Sequence, residues 1–245
     1  MPRSFTYSAL VLRVRPSGES NREAWFLTAE EGILKATVFG GPKSRLRAYI
    51  APYHQGTLWL YRDPVRDAGK VTDFDVQSWR PGIRERYERA NTASSLIETM
   101  LASHAGGGSW TEAMRLAGQA LDALDYADPA YCVRILVHFL WNWIDVLGLR
   151  QDILRCPACA GESGVLLFNS QEGTLRCPAC AGTPAPLIPI CLGARRWLTA
   201  AGDMNPALLN RYTLDGASLL QAKTLVTGLM SCILGKRLES WDSGG

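Results

Sequence analysis

Four of the seven cysteines stand in two Cys-Pro-Ala-Cys pairs, Cys156/Cys159 and Cys177/Cys180, with seventeen residues between the pairs. Each pair can grip one side of a tetrahedral ion, and the loop between lets the pairs meet as two knuckles. The spacing lies in the range of a structural Zn(II) site. Four thiolates would fill the coordination sphere, so the ion would brace the chain and would not activate water. Two redox Cys-x-x-Cys motifs are the weaker alternative, because a thioredoxin-type site needs one such motif after a strand of a βαβ unit. The expected cofactor is therefore one structural Zn2+. Cys132, Cys191 and Cys232 lie among apolar residues and read as small buried hydrophobes. This cysteine usage points to a reducing cytoplasm.

A second kind of chemistry is suggested by Lys35, Lys43, Arg45 and Arg47. They lie in a window, Gly32 to Arg62, that contains no acidic residue. Phe39, Tyr49, Tyr53 and Trp59 lie in or beside the same window. Cations can track phosphates and flat rings can stack on bases, so the stretch fits nucleic-acid binding. A solvated basic loop beside a barrel core is the plainer alternative. The net charge is only +3, so any basic surface must be local. Arg195 and Arg196 form a further cationic pair. Catalytic patterns are missing. The three histidines, His54, His104 and His138, stand apart, and no nucleophile elbow, Walker loop or dinucleotide fingerprint occurs. Asp73 and Asp75 could serve a nuclease metal, but they read better as alternate solvent-facing positions of a strand. The expectation is a binding protein and not an enzyme.

The elements that must position these groups differ along the chain. At 245 residues and 47% apolar content, the chain has material for one large or two smaller domains. Phe5–Val14, Glu23–Thr28, Ile33–Phe39, Thr57–Tyr61 and Val71–Trp79 read as strands, with turn residues between them. Five short strands in about eighty residues fit an OB-fold barrel, with an SH3-like barrel as runner-up. After Arg80-Pro81-Gly82 the period becomes helical. One helix is expected over Ile83–Ala105, with Tyr87, Ala90, Ser94, Ile97 and Leu101 on its buried stripe, ended by Gly106-Gly107-Gly108. A second follows Ser109 or Thr111. A third, capped by Asp128 with Pro129 at its first position, is apolar nearly all round and carries His138 as a core histidine. Cys191–Ala201, Pro206–Arg211 and a long stretch from Asp215 to about Leu238 complete the helices. The fold class is α+β: a five-stranded OB-fold barrel over residues 1–80, then a helical domain over 81–245 with a four-cysteine zinc finger inserted at 156–180. No signal-peptide run leads the chain, and no membrane span is expected.

The whole chain resembles the RecO family of bacterial recombination mediators. Gly40-Gly41-Pro42-Lys43-Ser44-Arg45-Leu46, followed by Pro52-Tyr53 and an apolar strand, is similar to the family's glycine, Lys-Ser and Pro-Phe stretch. Leu147-Gly148-Leu149 closes the helical middle before the first knuckle, and Gly173 precedes Cys177 as in the family. The sequence departs from the pattern at Pro42, where a basic residue is commoner, and at Tyr53 in place of Phe. The resemblance implies binding of single- and double-stranded DNA and annealing of complementary strands. It also implies partnership with RecR in loading RecA onto strands coated by the single-stranded DNA-binding protein (SSB). The protein would then be cytoplasmic and associated with the bacterial nucleoid. DNA contacts are expected at Lys35, Lys43, Arg45, Arg47, Arg195 and Arg196. A groove for the acidic, Phe-ending SSB C-terminal tail is expected on the last helix, with Leu219, Val226 and Met230 as floor and Lys223 as rim. The rival reading is a zinc-ribbon RNA-binding or transcription factor.

Overall fold

Alternation builds the first strand. In β1 (Ser4–Ser17) Tyr7, Ala9 and Val11 are buried at every second position and share one core, the period of two that a pleated strand imposes. A bulge between Val11 and Arg13 shifts the phase, after which Val14 packs on the same core. β2 (Asn21–Thr28) runs antiparallel to β1, and β3 (Gly32–Val38) antiparallel to β2. β4 (Gln55–Asp63) pairs antiparallel with β1, and β5 (Ala68–Ser78) antiparallel with β4. A parallel pairing of Thr37 with Lys70 joins β3 to β5 and closes the barrel in the order β1-β2-β3-β5-β4. A short helix α1 (Leu46–Tyr49) lies in the β3–β4 connection. This is the OB-fold order, and the SH3-like alternative falls away. Phe26 and Phe74 meet at 6.1 Å between ring centroids inside the barrel, beside Leu58, Leu60 and Ile50.

The computed structural model describes residues 3–41, 43–63, 68–104, 109–182 and 187–242. The expected stop at Gly106–Gly108 and the departure at Pro42 lie outside these. The chain divides into two compact units, Met1–Tyr126 and Ala127–Gly245. The first unit includes α2 (Tyr87–Ala102) and α3 (Trp110–Tyr126) as well as the barrel. Arg80 is one link between these helices and the strands. It sits in the left-handed region at φ 49° and is buried. Its guanidinium donates to the Tyr53 carbonyl and to Gln55 Oε1, both at 2.7 Å, on the barrel side. On the α3 side it donates to Asp122 Oδ1 at 2.7 Å.

The expected helix from Ile83 begins later. Pro81–Glu85 is a 3-10 turn, Arg86 is extended, and α2 starts at Tyr87. Its buried face is also rotated. Tyr87 and Ser94 are exposed, while Thr92, Ser95, Leu96, Thr99 and Met100 are buried. The hydroxyls of Ser95 and Thr99 donate to carbonyls one turn back, at 3.0 and 2.8 Å. That lets polar side chains occupy core positions which a hydrophobic pattern assigns to others.

In the second unit, α4 (Pro129–Val146) is capped by Asp128, whose carboxylate accepts from the Ala130 N–H at 2.9 Å. It is buried nearly all round, His138 included. α5 (Leu192–Ala201) and α6 (Gly216–Leu234) pack with it. α6 stops at Gly235, in the left-handed region at φ 65°, earlier than the expected Leu238. Between α4 and α5 lies a three-stranded antiparallel sheet that the sequence pattern did not announce: β6 (Val165–Asn169), β7 (Thr174–Arg176) and β8 (Leu187–Cys191), in the order β7-β6-β8. Phe168 of β6 is fully buried. A Cβ on Gly228 of α6 would lie 2.4 Å from its ring, so α6 carries glycine where the sheet leans on it.

Candidate metal centre and nucleic-acid surface

The metal centre is assembled by two turns. Cys156 and Cys177 are buried, Cys159 and Cys180 nearer the surface. In the first knuckle the Ala160 N–H donates to the Cys156 carbonyl at 2.7 Å, with Ala160 at φ 56°. In the second the N–H groups of Cys180 and Ala181 both donate to the Cys177 carbonyl, at 3.0 and 2.9 Å. The four Sγ atoms all lie within 4.8 Å of one another, and those of Cys159 and Cys177 are 3.8 Å apart. A tetrahedron with metal–sulfur bonds of about 2.3 Å has edges of roughly 3.8 Å, so the cluster is close to the size that a four-thiolate ion requires. The Cys177 N–H donates to Cys156 Sγ at 3.3 Å, as backbone amides do to metal thiolates.

The protons of the cluster show the same demand. The Cys156 thiol is lowered to about 6, first by the Cys177 backbone N–H. The Cys180 thiol is pushed up to about 12, first by hydrogen bonding with Cys177 and then with Cys159. Four sulfurs this close cannot all ionise against one another; a dication at their centre removes the conflict. Among the described residues, these four are the one group of three or more His, Cys, Asp or Glu side chains placed to hold an ion. Asp73 and Asp75 belong to no such group.

The basic window folds into the β3–β4 connection. Gly40 has φ 133°, and a Cβ there would lie 2.6 Å from the Ser44 side chain, so the turn out of β3 needs glycine. The Ser44 N–H donates to the Gly41 carbonyl and the Arg47 N–H to the Ser44 carbonyl, both at 3.0 Å, and the chain passes into α1. Lys35, Lys43, Arg45 and Arg47 are all exposed. The window is acid-free in sequence but not in space. Arg45 donates to Asp73 of β5 at 2.6 Å, and Lys35 pairs with Glu23 of β2 at 3.3 Å. Such exposed pairs contribute at most about 1 kcal/mol, so either cation can exchange its carboxylate for a phosphate. Of the four aromatic side chains singled out, Phe39 and Trp59 are exposed. Tyr49 is half-buried against Trp79, and Tyr53 donates or accepts at Ser94, 3.0 Å away. Lys70 of β5 lies over the Phe39 ring, 5.0 Å from its centroid, and is a cation that the sequence window missed.

Arg195 does not join this chemistry. It is fully buried, and its guanidinium donates to the carbonyls of Ile153 and Leu154, both at 3.0 Å, and of Ser163 at 2.5 Å. A DNA contact would require breaking all three bonds, so the expectation at Arg195 gives way to a structural role: it ties α5 to the segment around the first knuckle. Arg196 is exposed. On α6, Val226 and Met230 are fully buried and cannot floor an open groove, because they face the unit's own core. Leu219 and Lys223 are partly exposed. Burial lowers the Lys223 ammonium, opposed by Asp242 and aided by Arg237. An apolar cleft of about 280 Å³ lies elsewhere on α6, lined by Leu229 and Ile233 together with Ile144 and Leu149.

Comparison with known proteins bears on both sites. Residues 1–78 match the family described as Recombination protein O N terminal. The DNA repair protein RecO of Heliobacterium modesticaldum is 26% identical over 252 residues, covering 98% of this chain and 89% of that protein. That of Pelotomaculum thermopropionicum is 28% identical over 210 residues, or 84% and 73%. With the protein of the same name from Acaryochloris marina the identity is 26% over 158 residues, and the match spans 53% of that relative's length.

Proposed function

We propose that the chain is a member of the RecO family, to which its first 78 residues and its similarity to proteins named DNA repair protein RecO point, and that it is a DNA repair and recombination protein that binds single- and double-stranded DNA and anneals complementary strands. The observation that carries this reading is the β3–β4 connection. An OB barrel presents Lys43, Arg45 and Arg47 on one solvated loop, with Lys35, Phe39, Lys70 and Trp59 at the surface of the adjoining strands. Cations there neutralise phosphates, and the rings offer faces to unpaired bases. Annealing needs charge neutralisation and strand alignment, with no bond broken, so the protein acts as a mediator and not as an enzyme. Arg196, exposed in the second unit, is a separate proposed DNA contact, and Arg195 is not one.

In this reading the four cysteines hold one Zn(II), which fixes the knuckles and the β6–β8 sheet and takes no part in strand contacts. The partners are RecR and the SSB tail, the product is RecA loaded on SSB-coated strands, and the place is the bacterial cytoplasm at the nucleoid. Leu219 and Lys223 remain the proposed contacts for the SSB tail. The test is annealing of two complementary strands, one coated with SSB, with and without Mg2+. Acceleration in both conditions with intact strands supports the mediator; cut strands, or no acceleration, overturn it.

A further inference from the structure

Two of the cysteines are exposed, Cys159 in the first knuckle and Cys232 on α6. They differ in the state of the sulfur. The Cys232 thiol keeps its proton and donates it to the Ser170 carbonyl, 3.2 Å from Sγ. Cys159 belongs to the four-sulfur cluster, where a bound dication holds the thiol deprotonated. Oxidants attack the thiolate, and they attack where solvent reaches it. Both conditions meet at Cys159. Its surroundings also leave the sulfur open. A Cβ on the exposed Gly161 would lie 3.3 Å from Cys159 Sγ, so the glycine two residues on keeps that side clear of a side chain. The other three sulfurs are less accessible: Cys156 and Cys177 are buried, and Cys180 is half-buried. Cys177, from the opposite knuckle, brings its Sγ to 3.8 Å from that of Cys159. A shift smaller than one S–S bond length would join them. Cys156 Sγ, by contrast, already accepts from the Cys177 N–H at 3.3 Å.

We propose that the metal centre is also a reversible redox clasp: a hydroperoxide oxidises Cys159, a Cys159–Cys177 disulfide forms, and the ion is released. The proposal rests on the zinc reading and adds a second state of the same site. In the first step the Cys159 thiolate attacks one peroxide oxygen. The S–O bond forms, the O–O bond breaks and hydroxide leaves. Sulfur gives up two electrons, the peroxide takes them, and Cys159 becomes a sulfenic acid. In the second step the Cys177 thiolate attacks Cys159 Sγ. The S–S bond forms, the S–O bond breaks and a second hydroxide leaves. Two solvent protons turn both hydroxides into water. Cys156 and Cys180 then offer two thiolates where the ion had four, and it is lost. A dithiol reductant reverses the step by thiol–disulfide exchange, becoming a disulfide itself and returning two thiols to the chain. Because the new bond joins opposite knuckles, the loop stays closed without the ion. A disulfide inside one knuckle would leave the two halves unjoined. Arg195 holds the same region from inside, through bonds to the Ile153, Leu154 and Ser163 carbonyls that involve no sulfur. The change is thus confined to the two knuckle turns.

The test uses the full chain with its metal, hydrogen peroxide as oxidant, and a zinc-sensitive dye. Peroxide should release the bound zinc, with two thiols lost for each ion freed. Peptide mapping should find Cys159 joined to Cys177, and dimedone present during the reaction should mark Cys159. Amide exchange should quicken at Ala160, Cys180 and Ala181, whose N–H groups close the knuckle turns, and stay slow in β6. Dithiothreitol with added zinc should restore the metal and the thiols. Cys159→His keeps a fourth ligand for the ion and should hold zinc through the peroxide treatment that empties the unaltered protein. If that variant binds no zinc, the mapping of the unaltered protein decides. Four results overturn the proposal while the zinc reading stands: oxidation of Cys232 with zinc retained, any other pairing of the four cysteines, sulfonic acids without a disulfide, or metal loss that the reductant does not reverse. Protein that holds no zinc when freshly purified under reducing conditions overturns both.

Discussion

Arg45 and Arg195 carry the same guanidinium to opposite ends. Arg45 stands on a solvated loop with one exposed carboxylate as partner. Arg195 is sealed in the second unit on three backbone carbonyls. Arg80 is likewise buried in the first unit, but its fork is shared among the Tyr53 carbonyl, the Gln55 side chain and the Asp122 carboxylate as it reaches from the barrel to α3. The difference lies in what surrounds each residue. Where an irregular segment turns inward its carbonyls lack ladder partners, and a five-donor fork can satisfy several at once. A buried arginine thus closes the backbone account of a loop, and an exposed one is free to meet a ligand.

Breaking the metal centre should have the largest effect, because it removes the other device that closes the same region. Cys156→Ser is expected to lose the ion and lower stability by several kcal/mol, on the order of what structural zinc supplies to small domains. Metal analysis and thermal melting check both. Less than half an equivalent of zinc in freshly purified unaltered protein would contradict the zinc assignment. Next come the buried arginines. Arg195→Met should cost about 3 kcal/mol or more, because it leaves three carbonyls without a donor at about 1–3 kcal/mol each. Arg80→Met should cost less, because the Asp122 carboxylate it releases is exposed to water. Chemical denaturation reads this directly. A loss below about 1 kcal/mol would mean that water replaces the guanidinium and that the contrast with Arg45 is overdrawn.

The sequence was most legible where a short-range pattern decides the structure. Cys156-x-x-Cys159 and Cys177-x-x-Cys180 specify their own geometry, and alternation in β1–β5 placed each strand to within a few residues. It was least legible where long-range contacts decide. Arg80-Pro81-Gly82 stands at the expected boundary between barrel and helices, and Arg80 is a junction there whose partners lie some 25 to 42 residues away. Val226 and Met230 sit on the apolar side of α6 as expected, but only the packed unit shows that this side is spent on its own core. The acid-free window failed for the same reason: Glu23 and Asp73 reach it from β2 and β5. The β6–β8 sheet escaped because its strands are three to five residues long, too short for a period to show.

A smaller effect sharpens the exposed side of the comparison. Asp73→Asn frees Arg45 from its carboxylate and should raise DNA affinity by less than about fivefold, in line with an exposed pair worth at most about 1 kcal/mol. Its melting temperature should hardly move. Unchanged or weaker binding on fluorescence titration would show that Arg45 does not meet the strand.

The most direct measurement is the salt dependence of DNA affinity for the unaltered protein and for Lys43→Glu/Arg45→Glu. Each cation that meets a phosphate releases a condensed counterion. Loss of two should flatten the log–log slope by about 1.4 on single strands and about 1.8 on duplex. Affinity should fall alike for all sequences, with zinc content and helical signal unchanged. If the double reversal leaves both the affinity and its slope as they were, the β3–β4 connection is not the DNA surface, whatever its exposure.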